Sequence, residues 1–322
     1  MDLILASPDG QEIRFIDYDI DLELGGTNDF QVNLSYASWS DDIKINDLVY
    51  TPGTEYGGII KSISSATNTE AIILKGYTWR GYLAHRFIRP PTGEDYYVAS
   101  GELNSIIADL VDIPKFRVST ADTGVTVNYQ FERFCSVLDG IESMLKTVGY
   151  RLDLRYIQTQ SSGYVGVRAV KAGHYGDSVE YSQDSMIDFS STDDQMGVNH
   201  LICLGTGELK YRIVVDLYAD KDGNISQTRT ISGINEIVET FENTGAEQET
   251  LIETGTKHLQ ERLSKKSFTA SIKKIETELF IGDIVSGQDY ITGNKVTKPI
   301  VEKIVKRSNG TVSINYKIEG QS

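Results

Sequence analysis

Between Ile16 and Leu24 the chain alternates without a break. Ile16, Tyr18, Ile20, Leu22 and Leu24 share one parity, and Asp17, Asp19, Asp21 and Glu23 share the other. A helix places its apolar residues three or four apart, so strict period two predicts a strand with one buried face and one face made of carboxylates. Same-face neighbours on a strand stand roughly 7 Å apart, a spacing at which like charges repel modestly in water. The row therefore suits a solvated sheet face, or the wall of a negatively charged channel that repels phosphate. After Gly25-Gly26-Thr27-Asn28-Asp29 the alternation resumes at Phe30, Val32, Leu34 and Tyr36. A half-buried strand needs neighbours, so the start of the chain reads as antiparallel sheet.

The remaining pattern fills in that sheet. Ser7-Pro8-Asp9-Gly10 is a turn, and strands are expected near 43–50, 57–64 and 70–78, the last two joined by a polar turn over 64–69. Arg89-Pro90-Pro91-Thr92-Gly93 breaks the pattern. Beyond it, Ser100 is placed to cap a helix carrying Leu103, Ile106, Ile107 and Leu110. A second helix is expected from Phe131 to Val148 with Gly149 as its stop, then strands near 150–157 and 164–171. From Asn199 the sheet signal returns, with strands at 200–204, 211–218 and 225–231 and a hairpin turn at Asp220-Lys221-Asp222-Gly223. Thr244-x-x-Glu247 reads as a capping box opening a helix over about 244–264, whose stripe is Leu251, Ile252, Leu259 and Leu263. The last stretch, 266–318, is sheet again.

One similarity is internal. Ile45-Asn46-Asp47-Leu48-Val49 is followed by Gly58-Ile59-Ile60-Lys61-Ser62-Ile63, a polar turn and Ala71-Ile72-Ile73-Leu74-Lys75-Gly76. Ile281-Gly282-Asp283-Ile284-Val285 is followed by Pro299-Ile300-Val301-Glu302-Lys303-Ile304, a polar turn and 312–320. Order and element type match, which predicts two copies of one small β-barrel unit. The expected fold is mainly β with an α+β insertion: an N-terminal barrel over 1–90, an α+β domain over 91–195 and a second barrel over 196–322 with one inserted helix.

Charge and composition narrow the function. A chain of 322 residues suits two or three domains. Its net charge of -15 argues against wrapping nucleic acid, which requires neutralising bases. Residues 1–60 hold twelve acids and two bases, whereas 263–322 hold ten bases and six acids. This polarity suits head-to-tail association between subunits. No apolar run approaches the roughly 20 residues of a membrane helix, and the start lacks the basic and apolar regions of a signal peptide. Cys135 and Cys203 are the only cysteines, expected as buried reduced thiols in a protein made in a bacterial-type cytoplasm.

No catalytic arrangement emerges, so catalytic, cofactor-binding and metal residues are all expected to be absent. His85, His174, His200 and His258 are scattered singly, and neither H-E-x-x-H nor C-x-x-C occurs. Gly205-Thr206-Gly207 lacks the third glycine of a dinucleotide loop, because Lys210 stands there, and reads as a tight turn. The segment beginning at Asp220 lacks the glycine and glutamate of a calcium loop, since Ile225 and Ile231 occupy those places.

Several strings carry a resemblance. Tyr50-x-Pro52-Gly53-Thr54-Glu55-Tyr56-Gly57-Gly58-Ile59, then Gly76-Tyr77-Thr78-Trp79-Arg80-Gly81, then Arg89-Pro90-Pro91-x-Gly93-Glu94-Asp95-Tyr96 are three of them. Val198-Asn199-His200-Leu201-Ile202-Cys203-Leu204-Gly205-x-Gly207-Glu208-Leu209, Leu217-Tyr218-Ala219-Asp220, Gly282-Asp283-Ile284-Val285 and Thr297-Lys298-Pro299-Ile300 follow in the same order. Together they resemble the tail-tip or baseplate hub proteins of siphophages, prophages and tail-like bacteriocins, which are similar to the trimeric hub of contractile phages. The resemblance implies two tube-like barrels per subunit and a homotrimeric, pseudo-sixfold ring in the virion tail. It also implies distal tail, tail tube, tape measure and spike or fibre proteins as partners, and DNA that passes through without specific binding. Asp17, Asp19, Asp21 and Glu23 are then candidate channel-lining residues. Some relatives carry a C-terminal hydrolase or receptor-binding extension, and this chain stops soon after its last expected strand. The alternatives are a tail-associated cell-wall hydrolase or peptidase, or a host-carbohydrate-binding tail protein.

Overall fold

In the computed structural model, which describes residues 2–66, 68, 70–160, 162–175, 187–194, 196–263, 265–272, 278–288 and 295–319, the alternating segment forms the strand Asp19–Leu24. It pairs with Asp29–Ser35. Ile20, Leu22 and Leu24 are buried, Asp21 is exposed, and Asp19 and Glu23 are half-buried. The fold is mainly β with an α+β part. The expected turn over 64–69 falls partly outside the described residues.

These two strands sit within an eleven-stranded sheet. On one side it continues through Ala71–Thr78, Gly57–Ala66 and Leu48–Tyr50 to Leu3–Ala6 and Glu12–Ile16. On the other it continues to Lys295–Ser308, with Thr311–Ile318 and Ile284–Gln288 beside it. Leu3, Leu5, Leu22, Val32, Leu74 and Val305 meet in one core although their strands are far apart in the sheet order, so the sheet curls around them. The Leu-Ile-Leu-Ala run at 3–6 does not alternate because both its faces are covered. Leu3 and Leu5 enter that first core, while Ile4 and Ala6 enter a second. The second core contains the helices Trp79–Ala84, Leu103–Leu110 and Val137–Lys146 and the strands Tyr150–Gln158 and Gly163–Lys171.

Helix ends depart from expectation in three places. Ser100 lies in the strand Val98–Glu102, opposite Asn128, so its backbone serves the sheet. Glu102 caps the helix instead, accepting from the Ser105 amide at 2.9 Å. The helix Gln248–Arg262 has no side-chain cap, and Thr244 stays in the turn closed by the Ala246 amide on the Asn243 carbonyl. The middle helix is shorter than its apolar pattern: Ser136 caps it, and Phe131 is buried ahead of it. Gly149 follows in the left-handed conformation, φ 71°. The strand expected at 211–218 begins at Val214, after a 3₁₀ turn over Leu209–Tyr211. At 225–231 only Ile225–Ser226 is strand, and Val238–Glu242 pairs in a place the alternation did not indicate.

The expected division at 90 and 195 is not the division of the packing. The chain forms two compact units, one of Met1–Phe189 with Ala270–Gln321 and one of Ser190–Thr269. The reason is pairing at long range. Lys303–Arg307 hydrogen-bonds along Ile20–Leu24, so the C-terminal strands extend the N-terminal sheet, and the N-terminal strands share a core with the α+β region. The smaller unit is a four-stranded sheet ordered 225–226, 214–219, 200–204, 238–242, with Leu251 and Leu259 of its helix packed on Leu201, Cys203 and Leu217.

The internal similarity reappears bond by bond. The Asn46 amide donates to the Ile60 carbonyl and the Ile60 amide to the Asp47 carbonyl. The Gly282 amide donates to the Ile300 carbonyl and the Ile300 amide to the Asp283 carbonyl. Asp47 Oδ2 accepts from the Lys44 amide at 2.7 Å, and Asp283 Oδ2 accepts from the Phe280 amide at 2.9 Å. Asn46 and Gly282 both adopt left-handed backbone, φ 76° and 90°. Leu48 pairs with Ile59 as Ile284 pairs with Pro299. A register shift then falls between Ile60 and Ser62, and another between Ile300 and Glu302. Ser62 lies opposite Lys75, and Glu302 lies opposite Lys317.

Candidate functional site

The candidate acids stand on the side of the sheet away from the first core, in a row whose neighbours are basic. Across the strands, Lys306, Asp21, Gln31, Lys75 and Ser62 are successive partners. Lys306 Nζ lies 2.7 Å from Asp21 Oδ2. Asp19 accepts from the Asn309 amide at 2.9 Å, and Glu23 from the Thr27 amide at 2.6 Å. Asp17, ahead of the strand, is largely exposed, with Arg307 at 3.9 Å. A shallow depression of about 460 Å³ is lined by Asp21, Glu23, Gln31, Lys61, Lys75 and Tyr77. The strand carries an all-acid face, but the sheet does not: lysines stand on both sides of it.

The charge polarity of the two ends is thus spent inside one chain. The acidic N-terminal strand and the basic C-terminal strand meet along Ile20–Leu24 and Lys303–Arg307 of the same chain, although the charge polarity by itself suits a contact between subunits. That joint runs along the edge of Lys295–Ser308 that first carries Ile284–Gln288, because Thr311–Ile318 occupies the other edge.

The larger unit also holds buried charges that no local pattern indicates. Arg80, 1% exposed, donates from Nε and Nη2 to Glu55 Oε2 at 3.2 and 3.1 Å, and from Nη1 to Glu142 Oε1 at 2.5 Å. It also donates to the Leu152 carbonyl at 3.2 Å. Trp79 stacks on Tyr156, which packs against Tyr50. The strings around Glu55 and Arg80 therefore form a structural clamp between a loop, two helices and a strand. Arg151 donates to Asp283 Oδ1 at 2.9 Å and to Asp153 Oδ1 at 3.2 Å. Lys303, 0% exposed, reaches Glu278 Oε1 at 2.7 Å and the Leu279 carbonyl at 3.1 Å, with the rings of Tyr56, Phe280 and Tyr316 around it. Burial pushes the Lys303 ammonium below the usual lysine range, against the pull of Glu278. A sequence signal for these groups exists only as a base set among aromatic residues, as in Trp79-Arg80.

The other candidates resolve as local structure. Gly207 has φ 96° and the Thr206 carbonyl accepts from the Ile213 amide, which makes a tight turn. Asp220 Oδ1 accepts from the amides of Asp222 and Asn224, and hydrogen bonds from Asn224 hold its carboxyl below the usual range. His200 is not isolated: Asp216 lies 2.7 Å from Nε2, Glu236 lies 2.9 Å from Nδ1, and the ring stacks on Tyr218. Cys203 is buried and its thiol is pushed up to about 11 by burial. Cys135 is only half-buried, since it lies ahead of the helix that Ser136 caps. Among the described residues, no group of three or more His, Cys, Asp or Glu side chains is placed to hold a metal, and no helix is long and apolar enough to cross a membrane.

No protein-family model and no curated protein matches the chain. Solved structures do. The 43 kDa tail protein of prophage MuSo2 from Shewanella oneidensis is similar over 99% of this chain and 98% of its own, at 14% identity and a TM-score of 0.51. Prophage tail protein gp18 from Listeria monocytogenes is similar over 100% of this chain and 96% of its own, at 14% identity and a TM-score of 0.50. A chain of the phage P2 baseplate in its activated conformation is similar over 100% and 99%, at 8% identity and a TM-score of 0.55. The fold is that of phage tail and baseplate proteins from end to end.

Proposed function

We propose that the protein is a structural subunit of a phage or prophage tail tip or baseplate, a hub rather than an enzyme. The observation that carries this reading is the fold likeness to tail and baseplate proteins over nearly the whole length of both partners. The duplicated turn-and-hairpin supports the finer reading. Three subunits, each bringing two tube-like barrels, make a ring of six similar units that matches a sixfold tail tube above and a threefold spike or fibre below. Distal tail, tail tube and tape measure proteins are its neighbours, and DNA crosses the ring without specific binding. The face bearing Asp17, Asp19, Asp21 and Glu23 lines the channel. Its repulsion of phosphate is moderated by Lys306 and Lys75, which stand in line with Asp21.

A map of the intact particle tests the reading. Density for this chain is expected on the tail axis at the distal end of the tube, with the acid-bearing face toward the lumen. Density off the axis overturns the hub, and that face turned outward overturns the channel wall alone. Incubation with purified peptidoglycan is expected to release no fragments, and cleavage abolished by a single Asp or Glu substitution overturns the non-enzymatic reading.

A further inference from the structure

The two copies of the repeat are joined within the chain in a way that leaves one edge of each without a partner strand among the described residues. The strand Lys295–Ser308 pairs first with Ile284–Gln288 and then, further along the same edge, with Asp19–Leu24. Its counterpart Gly57–Ala66 pairs in the same way with Leu48–Tyr50 over Gly57 to Ile59. Further along that edge, where the matching register shifts make 63–66 equivalent to 303–306, no strand pairs with it among the described residues. Ser64 and Ser65 are exposed there. A run of unpaired backbone groups is a template for another strand.

The strand that would fill it can be named from the repeat. In the first copy the strand at the joint, Asp19–Leu24, is paired on its other edge with Asp29–Ser35. The second copy has a similar pair, Ile187–Asp194 with Lys265–Ile272. Their sequences align: Ile20-Asp21-Leu22 with Ile187-Asp188-Phe189, and Phe30-Gln31-Val32-Asn33-Leu34 with Phe268-Thr269-Ala270-Ser271-Ile272. The smaller unit is thus inserted where the first copy has its turn at 25–28. Ile187–Asp194 has no partner other than Lys265–Ile272 among the described pairings.

We infer that the open edge at 63–66 receives the strand Ile187–Asp194 of a second copy of this chain, in the register of the internal joint. Inside the chain, Ile304 lies opposite Glu23 and Lys306 opposite Asp21. The equivalent contact sets Ser64 opposite Ser190 and Ala66 opposite Asp188. Each copy then offers one donor strand and one acceptor edge that do not fit themselves, a heterologous contact that closes as a ring or runs on as a filament. The inference rests on the ring reading above and names the joint that closes it.

Paired cysteines test the register. Residues directly opposite in an antiparallel pair have Cβ atoms about 4.5–5.5 Å apart, close enough for a disulfide after small adjustment. The full chain carrying Ser64→Cys and Ser190→Cys is oxidised over a concentration series, beside the parent chain and a Ser62→Cys/Ser190→Cys control set two residues out of register. Non-reducing gels, native mass and peptide mapping are read. Disulfide-linked dimers and trimers joined 64 to 190, absent from parent and control and lost on reduction, support the joint. Oligomers without that link, or with it equally in the control, overturn the edge assignment and leave the tail-subunit reading in place. A link formed within one chain overturns the second copy as occupant. A chain that stays monomeric and unlinked at every concentration overturns the joint, while the particle map decides the tail reading separately.

Discussion

The hairpins over 57–78 and 295–318 share one backbone plan and have different interiors. Each is preceded by a short strand that follows an aspartate whose carboxylate caps the turn before it, each has a left-handed residue just ahead of that aspartate, and both shift register at the same step. Inside, the first sets Ile63 opposite Leu74, whereas the second sets Lys303 opposite Tyr316. Asp47, 3% exposed, accepts from the Lys44 amide, and burial raises its pKa above the usual carboxylate range. Asp283, 1% exposed, also accepts from Arg151 and from the Gly173 amide. The backbone plan therefore does not depend on what fills it. A repeat can take an apolar core or a charged one, provided each buried charge has a partner.

The largest expected effect separates the two aspartates. Asp283→Asn removes one of the two carboxylates facing buried Arg151, leaving Asp153, and is expected to cost about 3–4 kcal/mol. Asp47→Asn keeps an acceptor for the Lys44 amide and is expected to cost about 1 kcal/mol. Urea unfolding of both variants measures the gap, and equal losses would remove the distinction between the copies. Next, Glu278→Ala strands Lys303 among aromatic rings at a cost of about 3 kcal/mol, the Leu279 carbonyl remaining as one acceptor.

Glu102 belongs to neither hairpin and calibrates the scale. Burial opposes its ionisation, but the Thr123 hydroxyl and the amides of Thr123 and Ser105 outweigh that and hold the carboxyl at about 2. Because this folded-state pKa is depressed, the stability it contributes is present above the ordinary value of 4.5 and is lost as pH falls through about 2. Glu102→Gln is expected to lose about 1 kcal/mol at neutral pH and to flatten that acid limb in unfolding curves taken from pH 6 to pH 2. The smallest effect is expected from Lys303→Ile, which gives the second hairpin the residue of the first. Glu278 is half exposed and can hydrate, so thermal or urea stability should stay within about 1 kcal/mol of the parent or rise. A loss as large as that of Glu278→Ala would make the cation part of the hairpin's design.

Much of this is legible in the sequence. The alternation at 16–24 sets which side chains are buried, the apolar stripe at 137–145 sets a helix, and the repeated Ile-x-Asp-[Leu/Ile]-Val sets the turn that opens each hairpin. These are local matters, decided by the two-residue and 3.6-residue periods of the backbone. Ser100 and Thr244 misled because a good capping residue forms a cap only where its backbone is free to end a strand or turn there.

The carboxylate row shows where local reading stops. Period two settled that Asp19, Asp21 and Glu23 leave the first core. It could not tell that Lys306 and Lys75 would stand beside them, or that the basic C-terminal strand would pair directly along this one. Every strand edge presents the same amides and carbonyls, so the sequence marks a strand without naming its neighbour. Which edges met was decided by the folding of the whole chain around its cores. The same holds for Arg80, Arg151 and Lys303, whose burial depends on partners brought from distant segments.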